Sequence, residues 1–283
     1  MRVAFGTYVY DFHKNYCYGI AEEVEKRGGE CFYPEKGICI DVDFTIQPDQ
    51  IYPRLPGSRG VFINHGLVNW PQNAFFGFRE TITEIHNNTD FIFLPSEHWE
   101  QWYKSLYEKP TFVAGYPLID KLFDNMEPDG TVVYAPTHHY KADVYSGWDI
   151  QKMKQICLDM GFKRFVYRGH PVFNKNEVSL NDCFRRASVF VSDYSSVGLE
   201  ALALRIPTIL IGNERWNKNN PHISHQASVN AGQRIYDWAG FTAALERFKD
   251  PDYNMKNRNY WSEKLCDYQG TSAKRIVDLM ETI

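Results

Sequence analysis

The sequence predicts an α/β protein of two Rossmann-like domains facing a central cleft, and three observations predict it. Through the first 120 residues, short apolar runs alternate with amphipathic stretches, the pattern of a parallel sheet covered on both faces. A polar segment, Asp124 to Gly130, which contains Pro128, interrupts the pattern as a linker or hinge, and the pattern then restarts. The stretch Phe190 to Gly212, FVSDYSSVGLEALALRIPTILIG, reads as a complete strand-loop-helix-strand unit. The domains expected are 1–123 and 131–268, followed by a terminal helix at 269–283.

Taken in order, Arg2 to Phe5 is an apolar strand, and Tyr16 to Lys26 has helical spacing. Strands follow at Gly60 to Asn64, Phe91 to Leu94 and Thr111 to Ala114, with a helix at Glu97 to Tyr107. Beyond the linker come a strand at Val132 to Ala135, a helix at Ile150 to Met160, a strand at Arg164 to Tyr167 and a short helix near Leu180 to Arg186. In the unit that follows, Val197, Leu199, Leu202 and Leu204 carry helical spacing, and Pro207 opens the strand Thr208 to Ile211. A last helix is expected at Ser272 to Met280.

The loop Ser192-Asp193-Tyr194-Ser195-Ser196 lies between a strand's carboxyl end and a helix's amino end. Free backbone N–H groups and the positive end of the helix dipole suit an anion there, and Ser195 and Ser196 add hydroxyl donors. The loop therefore reads as a phosphate seat. Glu200, one helical turn past Ser196, is spaced to reach the hydroxyls of an attached ribose. The ordinary alternative is that Ser192, Asp193 and Ser195 only cap a helix.

Three other strand ends carry polar groups. His65-Gly66 leaves the strand at Gly60 to Asn64, and a histidine titrating near neutrality can take a proton from an attacking hydroxyl. Arg168-Gly169-His170-Pro171 leaves the strand ending at Tyr167, where Arg168 and His170 are both candidate donors to phosphate oxygens. Tyr134-Ala135-Pro136-Thr137-His138-His139 adds a hydroxyl and imidazoles. Adjacent histidines seldom share one ion, and Asp41-x-Asp43 reads as a strand edge or solvated turn, so no metal is expected. For each cluster alone the bland reading, a satisfied loop histidine or a salt bridge beside a turn, is the commoner one. Together they bring His65, Thr137, His170 and the serine loop to one cleft.

Composition bounds the rest. A chain of 283 residues with 43% apolar content can bury a large core, and a net charge of −4 argues against nucleic acid as a partner. Six cysteines without a Cys-x-x-Cys pair suggest a reducing compartment. The first strand follows Met1 without a charged-then-apolar leader, and no run reaches the length of a membrane span. A cytoplasmic protein is expected, with at most peripheral contact with the inner membrane face.

These residues resemble the CDP-glycerol glycerophosphotransferase family, the teichoic-acid primases and polymerases of the GT-B class. The likeness runs in order through His65-Gly66, Phe93 to Leu122, YAPT at Tyr134 to Thr137, RGHP at Arg168 to Pro171, SDYSSV at Ser192 to Val197 with Glu200, and Gly270 to Arg275. It implies transfer of glycerol phosphate, or a related alditol phosphate, from a CDP-activated donor to an acceptor hydroxyl, with no cofactor or metal. His65 would be the general base in an N-terminal acceptor domain. His170, Ser195 and Ser196 would hold the donor diphosphate in the C-terminal domain, with Gly66, Thr137, Arg168, Ser192 and Asp193 lining the donor site and Glu200 near the ribose. The partners implied are a nucleotide donor and a glycan or lipid-linked glycan acceptor.

The family's Gly-Tyr-Pro-Arg-Asn-Asp is here Gly115-Tyr116-Pro117-Leu118-Ile119-Asp120, and His138-His139-Tyr140-Lys141 follows Thr137 in place of tryptophan, arginine and an acidic group. Arginine is a preferred phosphate partner, so both departures bear on donor identity. Two other readings keep the phosphate loop: a GT-B glycosyltransferase or UDP-GlcNAc 2-epimerase-like enzyme using a nucleotide sugar, and a nucleotide-binding protein without catalysis.

Overall fold

The computed structural model describes residues 1–6, 17–34, 40–47, 54–63, 88–104, 108–136, 148–169, 176–193, 195–212 and 223–283. The chain divides into two compact units, Met1–Lys121 with Lys264–Ile283, and Leu122–Glu263. It thus passes from one unit to the other twice.

The first unit holds a six-stranded sheet in which every pairing is parallel: β1 (Arg2–Phe5), β2 (Glu30–Phe32), β3 (Phe44–Gln47), β4 (Arg59–Ile63), β5 (Phe91–Leu94) and β6 (Thr111–Val113), in the order β2-β1-β3-β4-β5-β6. Val3, Phe5, Phe44, Ile46, Val61, Ile63 and Phe93 point to one face, where α1 (Tyr18–Lys26) buries Ile20 and Val24, and α2 (Glu97–Tyr103) follows β5. The terminal helix, Ser272–Thr282, packs on the same face through Ile276, Val277 and Met280. Arg27 joins these two helices, pairing with Glu23, Asp278 and Glu281 at 2.8 Å each.

The motif at Gly115 to Asp120 also belongs to this docking. Tyr116 donates its N–H to Ser272 Oγ at 2.9 Å, and Gly115 lies so close that a Cβ there would stand 2.2 Å from the same oxygen. Gly115 has φ of 83°, which a residue with a Cβ rarely adopts. Thr271, the residue before the terminal helix, makes no side-chain cap, and Asp120 Oδ2 accepts the N–H of Ala273 at 2.8 Å instead.

The second unit holds a five-stranded parallel sheet: β7 (Thr131–Tyr134), β8 (Arg164–Tyr167), β9 (Ala187–Ser192), β10 (Thr208–Ile211) and β11 (Gln233–Ile235), ordered β11-β10-β9-β7-β8. On one face Val132, Tyr134, Val189, Val191, Ile209 and Ile211 pack with Met153 and Cys157 of α3 (Ile150–Asp159) and with a helix at Trp238–Phe248. On the other, Phe190 packs against Phe184 of α4 (Leu180–Arg186), ring centroids 5.1 Å apart and tilted. The segment 124–130, read as a linker, is fastened within this unit: Glu127 and Asp129 donate their N–H groups to Arg185 O and Arg186 O, and Asp129 pairs with Arg164 at 3.0 Å.

Strand order decides where a ligand fits. The chain goes from β7 to β8 on one side, then crosses back to β9 on the other, so the connections leaving β7 and β9 diverge at the carboxyl edge. In open α/β sheets this divergence opens the ligand crevice.

Candidate functional site

The serine loop begins at that crevice. Ala135 N donates to Val191 O at 2.9 Å, and Ser192 Oγ donates to Ala135 O at 2.7 Å, so the hydroxyl of Ser192 ties the ends of β7 and β9 together. Asp193 is 3% exposed, and its Oδ1 accepts the N–H of Ser195 at 3.2 Å, turning the loop into α5 (Ser196–Ala203). Ser195 is extended, with φ −73° and ψ 150°, and its side chain makes no capping bond. The first turn of α5 contains no acidic residue. Gly198 N already donates to Ser195 O at 3.1 Å, and the start of α5, flanked by the half-buried Ser195 and Ser196, has no Ser195 side-chain cap, the setting in which a helix start suits an anion.

Gly198 lets α5 come close to the sheet. A Cβ there would lie 2.8 Å from Leu210 Cδ2 and 3.1 Å from Ser192 Cβ, so a larger residue would have to displace Leu210 or push the helix from β9 and β10. At its far end α5 is gripped by a helix at Met255–Leu265: Ser262 Oγ donates to Ala203 O, and Arg258 donates to Arg205 O at 2.7 Å and also to Pro251 O. Arg258 is 2% exposed, and burial pushes its pKa below the usual guanidinium range while Asp252 and Asp250 push back. A buried cation just past the carboxyl end of α5 is attracted by the negative end of the helix dipole.

Arg168 continues β8, donating its N–H to Tyr134 O at 2.9 Å, and its side chain is half-buried. Burial pushes the Cys183 thiol of α4 up to about 11, with the Arg168 charge pulling the other way. Asn176 Nδ2 holds Gly169 O at 2.9 Å. Glu200 is on α5 and 0% exposed. His65, Gly66, Thr137 and His170 lie outside the described residues, as do Tyr194, His138 and His139. Thus Arg168, Ser192, Asp193, Ser195 and Ser196 share one carboxyl edge, spanning β8, β7 and β9.

Asp41 and Asp43 sit at the amino edge of the first unit's sheet, before β3, where Asp43 Oδ2 accepts the N–H of Arg2 at 2.7 Å. Among the described residues no group of three or more His, Cys, Asp or Glu is placed to hold an ion. Sequence reasoning passed over Gly198, Arg258 and Ser262. Gly198, two residues beyond Ser196 inside an apolar helical run, was a readable signal, because glycine there needs a packing reason.

Over residues 70–282 the chain matches the family described as CDP-glycerol:poly(glycerophosphate) glycerophosphotransferase. The chain belongs to that family. No curated protein matches it by sequence. Among solved structures, a variant of the wall teichoic acid polymerase TagF soaked with CDPG is similar over 99% of this chain and 88% of its own, at 12% identity and a TM-score of 0.74. The spinosyn forosaminyltransferase SpnP, with 12% identity over 100% and 98% of the two chains, has a TM-score of 0.60. The UDP-GlcNAc 2-epimerase from Neisseria meningitidis bound to UDP-GlcNAc, with 12% identity over 100% of both, has one of 0.64. The transferase therefore has the GT-B fold, and its family assigns it a nucleotide-activated donor. Among the described residues no helix is long and apolar enough to cross a membrane.

Proposed function

We propose that the transferase moves glycerol phosphate, or a related alditol phosphate, from a CDP-activated donor to an acceptor hydroxyl, releasing CMP without a metal ion. The observation that carries this reading is the uncapped amino end of α5 beside the β7/β9 crevice, in a chain of the glycerophosphotransferase family. The acceptor oxygen attacks the phosphorus of the glycerol phosphate group as the bond from that phosphorus to the CMP oxygen breaks. His65 takes the acceptor proton, and CMP leaves with one more negative charge. That charge meets the amino end of α5, with the Ser195 and Ser196 hydroxyls, Arg168 and His170 as the donors that stabilise it.

The acceptor is a glycan or lipid-linked glycan, in keeping with the teichoic acid polymerase among the similar structures, and the reaction belongs at the cytoplasmic face of the cell envelope. A second reading has a specific support. The similar structures include a sugar transferase and an epimerase bound to UDP-GlcNAc, so a nucleotide sugar is the competing donor.

Incubation of the purified protein with CDP-glycerol and candidate glycan acceptors, following CMP, tests the proposal. CMP release that requires acceptor and persists in a metal chelator is expected. His65→Ala is expected to lower turnover about 10²- to 10⁴-fold at nearly constant donor affinity, the range for losing a general base. Parallel loss of binding and turnover would make His65 a donor-binding or structural residue. Tight nucleotide binding with no turnover under any acceptor would favour a non-catalytic binding protein.

A further inference from the structure

On the same carboxyl edge stands an exposed ring that the phosphate seat does not use. Tyr236 follows β11 and is 60% exposed, yet its ring is held against Gly212, the residue after β10. A Cβ on Gly212 would lie 2.4 Å from Tyr236 Cε1 and 2.8 Å from Cζ. Beneath the ring, Gly212 N donates to Ile235 O at 2.7 Å, fixing the two strand ends to each other. The next residue, Asp237, caps the helix at Trp238–Phe248 through Gly240 N at 2.7 Å. An apolar residue just before such a cap usually packs on the fourth helical residue, here Phe241. Phe241 instead takes its ring contacts from Trp148 and Trp238, and Tyr236 keeps its ring on the glycine, open to solvent.

Position gives this ring a use. The ligand crevice lies between β7 and β9, and β10 and β11 lie on the other side of β9. At the usual strand spacing Tyr236 stands about 10 Å along the edge from the end of β9. With the diphosphate on α5, which follows β9, a transferred group running along the edge away from the crevice meets β10 and β11 first. A rigid phenol suits a polyhydroxylated carbon skeleton, whose C–H face stacks on the ring while its hydroxyls bond the phenol oxygen.

We propose that Tyr236, seated on Gly212, is a stacking platform for the polyol or sugar group that lies next to the diphosphate. The inference rests on the reading of 192–196 as the phosphate seat. Two sources share this chemistry: the alditol of the donor and the glycan of the acceptor.

The test is titration of wild type, Tyr236→Ala, Tyr236→Phe and Gly212→Ala with CDP, with CDP-glycerol, and with chitobiose in saturating CDP. CDP affinity is expected to be equal in all four proteins. Tyr236→Ala, and Gly212→Ala through the displaced ring, should weaken the polyol-bearing ligand about three- to tenfold, with Tyr236→Phe retaining most of the binding. Loss for CDP-glycerol assigns the donor group, and loss for chitobiose alone assigns the acceptor. Equal loss for CDP and CDP-glycerol, or no loss for either polyol ligand, overturns the platform. Failure of the wild type to bind CDP overturns the seat itself, and the platform with it, before any variant is compared.

Discussion

In the proposed seat, the N–H groups at the start of α5 and the hydroxyls of Ser195 and Ser196 are the donors to the phosphate. Replacing both serines by alanine leaves the helix intact and removes two donors to a charged group, each worth about 1.5–3 kcal/mol. CDP affinity measured by calorimetry should fall at least about tenfold, with the melting temperature nearly unchanged. Unchanged affinity contradicts the seat. Gly198 gives a sharper expectation, because helix propensity and packing disagree there. Alanine favours a helix by about 1 kcal/mol over glycine, yet its Cβ would press Leu210 and Ser192, and overpacking costs about 1–3 kcal/mol. Gly198→Ala should therefore lower both the melting temperature and CDP affinity. A gain in stability would show that α5 moves away from the sheet freely.

At the scale of elements, α5 is held from behind. Arg258→Met leaves Arg205 O and Pro251 O without their buried donor, a loss of about 2 kcal/mol, or about 4–8 °C in melting temperature. A change below about 1 °C would mean the guanidinium is not needed there. The terminal helix is held differently. Burial raises the pKa of Asp120 above the ordinary carboxylate value, against the N–H groups of Ala273, Ser272 and Gly270, which lower it. A carboxyl whose folded pKa is raised contributes most when protonated, so its contribution declines as pH climbs from about 3.8 through the raised value. Asp120→Asn keeps an acceptor for Ala273 without the buried charge. Its melting temperature should match or exceed wild type at pH 7, with the difference shrinking below about pH 4. A large drop at pH 7 would show that the charge at the helix start outweighs its desolvation. The family motif ending in Asp120 thus docks the terminal helix in this chain.

Elements with plain apolar patterns were legible in the sequence: β1, β5, β8 and β10 stand at the residues read for them, and α3 and α4 begin where expected. β3 escaped because it buries Thr45 and Gln47, which Ser58 and Thr89 satisfy through hydrogen bonds that no periodicity reports. β2 and β11 are three-residue edge strands, too short for a pattern. The helix at Met255–Leu265 grips its neighbour through Arg258 and Ser262, polar residues that read as surface. The helix at Trp238–Phe248 did carry a signal, an Asp237 cap before apolar residues at 241, 244, 245 and 248. In the site, the Ser/Asp turn before an apolar helix was readable locally. The bond from Ser192 to Ala135 was not, since it depends on β9 lying beside β7, 57 residues apart in sequence.

For the whole molecule, two parallel-stranded units with the same kind of switch in strand order, β2-β1-β3 and β8-β7-β9, place the ligand edge of each unit where its strands end. The family adds a nucleotide-activated donor to that frame, and the base of that donor is the point on which the proposed function turns. The most direct measurement is calorimetric titration, without added metal, of CDP-glycerol, CDP, CMP, UDP and UDP-GlcNAc against the purified protein in one buffer. Preference for CDP-glycerol and CDP over the uridine compounds by at least about tenfold, or 1.4 kcal/mol, is the predicted result. Preference for UDP or UDP-GlcNAc would contradict the CDP-alditol assignment and make the chain a nucleotide-sugar enzyme on the same fold.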